Sequence, residues 1–340
     1  MVKQIIMYTS LNLGKPSYLA KDMRPLFGQG ILSSSGTIWA HQRKIIAPEL
    51  YLNKVKKAMV NLIVDSTNIM LRSWDTRLQS EGGVSEIKVD EDLRSLSADI
   101  ISIACFGSNY VEGKEIFTKL RDVQRVLSTI YAGIPGFRFM IYNCKNIFFA
   151  EYETTATATS WCLMLLALHQ DWQDRVRAEV LEVCGSDPPN ADMLRNLKAL
   201  NMVIQETLRL YPPAPYVVRE AYQNINLKGI VIPKGMNIQI PIPLIQQNPK
   251  LWGPDAHKFN PERFSKGVSE ASNFSQSYIP FGIGARICPG QNLAMVELKV
   301  ILSLILMKFR FSLSPSYCHS PAFRLVIEPD QGVVLKMTTI

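Results

Sequence analysis

Between Phe281 and Gly290 the chain reads FGIGARICPG, a cysteine set among three glycines and an arginine at fixed spacing. No regular helix or strand accommodates such a run. Glycine lets the backbone turn tightly and approach a flat ligand without a Cβ clash. An apolar helical segment starts just after Gly290, so its positive end faces the Cys288 sulfur and favours the thiolate, the form that binds metals. Arg286 is placed to pair with a carboxylate. Phe281, Gly284, Arg286, Cys288 and Gly290, with Gly282 besides, therefore mark a ligand-bearing loop that the rest of the chain must build around. The competing reading is a glycine-rich turn around a buried, inert thiol.

The chain has 340 residues, 47% of them hydrophobic and 19% charged, enough to bury a large core. Net charge is +8, with Lys and Arg scattered. No Arg-rich block with interleaved aromatics argues for nucleic acid, and a basic face suits an acidic protein partner. The six cysteines lie far apart with no Cys-x-x-Cys pair, which argues against a zinc site. Gln4–Leu13 is too short and mixed to be a secretory signal. The longest uncharged run, Thr154–Gln170, falls short of the about 20 residues of a bilayer span, so no membrane anchor is expected within this chain.

Helical spacing dominates the first two thirds. Val55, Met59, Leu62, Ile63, Met70 and Trp74 form one apolar face. Helices are expected in VDEDLRSLSADIISIACFG, ending at Gly107, and in GKEIFTKLRDVQRVLSTIY. AGIPGFRFMIYNCKN interrupts the pattern before a long apolar helix from about Ile147 to His169. DWQDRVRAEVLEVCG follows, and ADMLRNLKALNMVIQETLRL reads as one helix stopped by Pro212-Pro213. INLKGIVIPKGMNIQIPI alternates around a Pro-Lys-Gly turn and reads as a β-hairpin. An irregular stretch spans roughly residues 248–290, and a last helix leads into strands near Arg324–Met337. The expectation is one helix-rich, mainly α (α+β) domain over 1–340 with small β-sheets.

The loop resembles the cysteine-ligand loop of the cytochrome P-450 superfamily, and three further segments agree. ETLR places Glu206 and Arg209 on one helix face, and FNPERF supplies Arg263. The resemblance implies a buried structural network of these three. WAHQR puts Trp39 and Arg43 four apart, matching a family pattern whose arginine contacts a haem propionate. FFAEYETTA sets Glu153 and Thr154 in an apolar helix, where buried polar groups need partners. In the family that acid and alcohol relay protons to iron-bound O2; the competing reading has the threonines back-bond to the helix. The resemblance further implies haem b with Cys288 as metal ligand, and Trp39, Arg43, Phe281, Gly284, Arg286 and Gly290 around the cofactor. Electrons would come from NADPH through NADPH–cytochrome P-450 reductase, at the cytosolic face of the endoplasmic reticulum membrane. The segments at 28–50 and GIPGFRFM resemble the plant branch that oxidises gibberellins and other isoprenoid or steroid-like hormones, so an apolar small-molecule substrate is expected.

Two departures are visible. Glu151 stands where the family pattern has glycine, and is expected to crowd the O2 groove and to repel Glu153. The family anchor and N-terminal strands are not represented before Met1, and the helices that roof the substrate pocket are not represented between Met140 and Ile141. The fold is thus expected to be incomplete, with a water-exposed pocket, weak haem retention and poor turnover. The alternatives are therefore a haem-binding but impaired relic, or a reductase-independent haem-thiolate isomerase or dehydratase.

Overall fold

A computed structural model describes residues 5, 7–8, 11–22, 27–107, 137–227 and 229–340. The helix expected in GKEIFTKLRDVQRVLSTIY lies outside these residues. Seven helices carry the frame: α1 (Gly36–Ile46), α2 (Leu52–Ser80), α3 (Val89–Phe106), α4 (Phe137–Leu168), α5 (Gln170–Cys184), α6 (Lys198–Leu210) and α7 (Gln291–Lys308). α2, α3, α4 and α7 pack against one another as the central bundle. The apolar face read along α2 is its buried face, with Val55, Ile63, Met70 and Trp74 inside and Met59 and Leu62 half-buried. Trp74 donates to Asp92 at 2.8 Å, tying α2 to α3. α7 is apolar over most of its circumference, and from Leu293 to Leu306 all but Ala294, Met295 and Lys299 are buried.

Among the described residues, ten strands form small antiparallel sheets: β1 (Leu13–Gly14), β2 (Val84–Lys88), β3 (Tyr216–Ala221), β4 (Ile225–Leu227), β5 (Ile230–Ile232), β6 (Asn237–Pro241), β7 (Phe309–Leu313), β8 (Pro321–Arg324), β9 (Val326–Pro329) and β10 (Val334–Thr339). The orders are β1-β3-β6, β2-β10-β7, β4-β5 and β8-β9. Leu335 and Met337 of β10 are fully buried, opposite Ile87 and Ser85 of β2 on one side and Leu313 and Phe311 of β7 on the other.

Three expectations change. The long helix is already formed at Phe137 and does not wait until about Ile147, because its polar positions are used by tertiary contacts that sequence cannot show. Asn143 Oδ1 accepts the Ile31 N–H and Asn146 Oδ1 that of Leu32, while Asn146 Nδ2 donates to the Phe27 carbonyl. Gly30 makes this possible, since a Cβ there would lie 2.3 Å from Asn146. The segment 191–210 is not one helix but a 3-10 turn, Met193–Arg195, followed by α6. The break falls where Glu179 of α5 accepts the N–H groups of Lys198, Ala199 and Leu200, at 2.8, 2.7 and 3.0 Å, and so caps α6 from outside. The Pro-Lys-Gly turn does not close a hairpin. β4 pairs with β5, and Pro233–Gly235 redirects the chain so that β6 pairs with β3 in another sheet.

Candidate active site

The Phe281–Gly290 loop lies on the seam between two apolar cores. Phe281 packs against the helical core, while Ile279 and Ile283 belong to the core under β3 and β6. Gly282 and Gly284 both have positive φ, 71° and 79°, a region closed to most side chains. The turn they allow brings the Cys288 N–H to the Phe281 carbonyl at 2.8 Å. Cys288 then sits at the start of α7 with the N–H groups of Gly290 and Gln291 directed at its sulfur. Burial pushes the Cys288 thiol up; the Gly290 N–H, the Arg43 charge and the Gln291 N–H pull it back. A buried sulfur under two donors and a guanidinium is poised to ionise when a metal takes the proton's place.

Cations gather beside it. The Arg286 guanidinium lies 3.9 Å over the Trp39 ring, and neither its Nη1 nor its Nη2 has a hydrogen-bond partner although both are buried. Arg43 Nη1 donates to the Ile287 carbonyl at 2.5 Å, so α1 is fastened to the loop. Desolvation, then the guanidiniums of Arg219 and Arg286, push the Lys15 ammonium down to about 8. Desolvation and Arg286 push Arg219 down to about 10. Such a cluster calls for an anionic ligand, because buried charge is stable only when paired. One metal-binding sulfur beside these cations matches the single axial ligand and two propionates of haem b; the residues present fit that group.

The acid-bearing stretch of α4 divides its side chains between two faces. The Thr154 hydroxyl donates to the Ala150 carbonyl at 2.7 Å. Glu153 lies 3.4 Å from Arg94 Nε, and Arg94 Nη2 reaches Glu328 at 2.5 Å. All three line a cavity of about 320 Å3 with Lys88, Asp90 and Arg324. Glu151 points elsewhere, since positions two apart on a helix diverge by about 200°. It is buried among α3 and α7, with Ser97 Oγ 3.4 Å from its Oε1, and does not repel Glu153 as the sequence pattern suggests.

Its neighbour in charge is Glu297 of α7, fully buried, which shares a hydrogen bond with the Glu151 carboxyl and faces the Thr155 hydroxyl. Burial, then the Glu297 charge, push the Glu151 carboxyl well up, and burial pushes Glu297 up to about 7. The folded chain therefore holds protons that the unfolded chain releases above about pH 4.5. Stability is expected to fall as pH rises from there through 7, by at most about 1.4 kcal/mol per pH unit for each proton. Glu151→Gln should flatten that slope and raise stability at pH 8 by about 1–3 kcal/mol, roughly one to two pH units of the linkage for one proton. Urea unfolding between pH 5 and 8.5 measures it, and an unchanged slope would count against the pair.

Glu206, Arg209 and Arg263 meet in the interior. Arg209 Nε and Nη2 donate to Glu206 at 2.6 and 2.8 Å, and Arg263 Nε lies 3.5 Å from the same carboxylate. Arg209 also holds the carbonyls of Gln246, Ala256 and Lys258, binding the irregular stretch before the loop to α6.

With this geometry in view, the comparisons with known proteins are direct. The family model described as Cytochrome P-450 matches residues 9–135 and 137–337. The chain belongs to the cytochrome P-450 family. It is 47% identical to cytochrome P-450 714C2 of Oryza sativa subsp. japonica, over 98% of this chain and 76% of the relative. It is 45% identical to cytochrome P-450 714B3 of Zea mays (100% and 74%) and 40% identical to cytochrome P-450 714A2 of Arabidopsis thaliana (99% and 78%). The first alignment runs over 397 positions against 340 residues here, so that relative carries stretches without counterpart in this chain. As a cytochrome P-450 the protein is a haem b monooxygenase of the plant branch, fed with electrons from NADPH through a reductase.

Two residues of this cytochrome P-450's cation cluster escaped sequence reading. Arg219 carried a signal, because in β3 it alternates with Val217 and Ala221 and so shares their inward face. Lys15 carried none. Its place depends on β1 pairing Leu13 with Ala221 and Gly14 with Glu220. Among the described residues no helix is long and apolar enough to cross a membrane.

Proposed function

We propose that this cytochrome P-450 inserts one oxygen atom of O2 into an apolar small molecule of the isoprenoid or steroid-like hormone class. Its electrons come through NADPH–cytochrome P-450 reductase, at the cytosolic face of the endoplasmic reticulum. The observation that carries the reading is the Cys288 sulfur under the N–H groups of Gly290 and Gln291, beside the unpartnered Arg286 guanidinium. The substrate class rests on the resemblance of the 28–50 segment to hormone-oxidising plant members, and the reductase on the basic balance of +8.

Haem supplies the oxygen chemistry, with thiolate ligation pushing electron density onto iron to favour O–O cleavage. Cys288 would hold that group through its sulfur. Phe281, Gly282 and Gly284 shape the turn that presents the sulfur, and the Gly290 N–H is directed at it. Arg286, Arg43, Lys15 and Arg219, with Trp39 under the Arg286 guanidinium, would hold its two carboxylates. Glu153 takes protons from water in the 320 Å3 cavity it lines, its carboxylate held 3.4 Å from Arg94 Nε. Thr154, next along α4, passes them on by turning its hydroxyl away from the Ala150 carbonyl. Glu206, Arg209 and Arg263 keep the loop's approach rigid.

The impaired-relic alternative loses one of its supports, since Glu151 lies in the α3–α7 seam rather than beside Glu153. The test is the carbon monoxide difference spectrum of the reduced, haem-loaded protein. A strongly red-shifted Soret band is expected. Its absence despite added haem would overturn the proposal in favour of a chain that does not assemble the site.

A further inference from the structure

Trp161 lies on α4, seven residues beyond Thr154 and so about 10 Å farther along the helix axis. It is fully buried, and its indole N–H donates to the Ile327 carbonyl at 2.9 Å. Tyr211 stacks on it with ring centroids 4.3 Å apart and planes within 18°. The Tyr211 hydroxyl is 3.2 Å from His319 Nε2, and the Tyr317 hydroxyl is 2.9 Å from His319 Nδ1. His319 is exposed, and Cys318 beside it is an exposed free thiol. An unbroken line of oxidisable rings thus runs from the helix that carries Thr154 to the surface. Nothing in the monooxygenase reading uses it.

We propose that Trp161, Tyr211, His319 and Tyr317 form an electron-transfer chain that drains oxidising equivalents from the haem pocket to the surface, where a thiol or enediol reductant discharges them. The proposal rests on the haem reading, with the oxidant being what peroxide generates at the haem. Trp161 gives one electron to that oxidant, and Tyr211 refills the indole through the stacked contact. A phenol that loses an electron becomes a strong acid, so its proton must move at once. It passes from Tyr211 Oη to His319 Nε2, while Nδ1–H donates to Tyr317 Oη. Desolvation lowers the His319 pKa, which favours the neutral ring that can accept a proton. One electron and one proton have then left Tyr211, leaving a neutral tyrosyl radical. A surface reductant returns the electron, and the imidazolium returns the proton. Packing alone would need the stacked rings but not a neutral imidazole on both hydroxyls.

The test loads the full chain with haem, mixes it with hydrogen peroxide without substrate, freezes it and records the electron paramagnetic resonance spectrum. Ring-deuterated tyrosine in the protein separates tyrosyl from indolyl signals. A tyrosyl radical is expected. Tyr211→Phe, which keeps the stack and removes only the hydroxyl, should cut its yield severalfold, raise the indolyl signal and speed haem bleaching. His319→Phe, at an exposed position, should act in the same direction. Identical radicals and haem lifetimes in the wild-type and both variants would overturn the proposal. A second measurement is independent of haem. With a ruthenium photo-oxidant attached at Cys318, a flash should give tyrosyl absorbance that is lost in the Tyr211→Phe, Tyr317→Phe double variant. An undiminished yield there also overturns it. Failure of haem uptake shows separately in the carbon monoxide spectrum, and the ruthenium readout then decides the chain alone.

Discussion

Cys288→Ala is expected to abolish the red-shifted Soret band and all oxygen insertion while leaving the chain folded. The loop turn survives, because the N–H of residue 288 still reaches the Phe281 carbonyl and Gly282 and Gly284 keep their positive φ. What is lost is the sulfur, and with it both the axial bond and the acceptor for the Gly290 and Gln291 N–H groups. The cost to stability should be about 1 kcal/mol, one forfeited hydrogen-bonded arrangement. The cost to function is complete, since no neighbouring atom can push electron density onto iron in its stead. Residual haem binding through Arg286, Arg43, Lys15 and Arg219 should persist with an unshifted spectrum. A shifted band in the variant would remove Cys288 from the role of ligand.

Arg209→Ala should be strongly destabilising, by about 3–5 kcal/mol, because it removes the two closest donors of the buried Glu206 carboxylate and leaves it only the Asn260 N–H and Arg263 Nε at 3.5 Å. Both side chains have no solvent exposure. Three carbonyls, of Gln246, Ala256 and Lys258, lose their donor in the same step. Against a domain stability of about 5–15 kcal/mol, such a loss unfolds much of the population at 37 °C. Arg175→Ala is the internal control. Its partner Glu262 and it are each about half exposed, at 53% and 50%, and an exposed pair contributes about 0–1 kcal/mol. Thermal unfolding of the two variants side by side measures the contrast, and equal midpoints would contradict the buried network.

The loop turn and the Glu206–Arg209 pair were legible because each is local, whereas Arg263 joined them only through the family resemblance. Glycines at 282 and 284 announce positive φ, and Glu206 with Arg209 share a face by helical spacing alone. The start of α4 was not legible, since Asn143 and Asn146 look like helix breakers until the Ile31–Leu32 segment arrives to use them. The same holds for the break before α6, which depends on Glu179 reaching across from α5. Glu151 was misjudged for a related reason. Its neighbour in sequence, Glu153, is not its neighbour in space, and Glu297 lies far along the chain. Pairings that cross the sheet, such as β1 with β3, likewise fix Lys15 without leaving a pattern in the residues around it.

The crowding of Lys15, Arg219 and Arg286 has a consequence for how the protein accumulates in a cell. Like charges pressed together in a desolvated cleft oppose folding until an anion joins them, and Arg286 waits with both Nη atoms unpartnered. Haem then behaves as a folding partner as much as a catalyst. At a free concentration 100 times its dissociation constant it adds about 2.7 kcal/mol to stability. Chains made faster than porphyrin is supplied would spend longer open to proteases, so the steady level of this enzyme should follow the output of haem synthesis as closely as that of its own message.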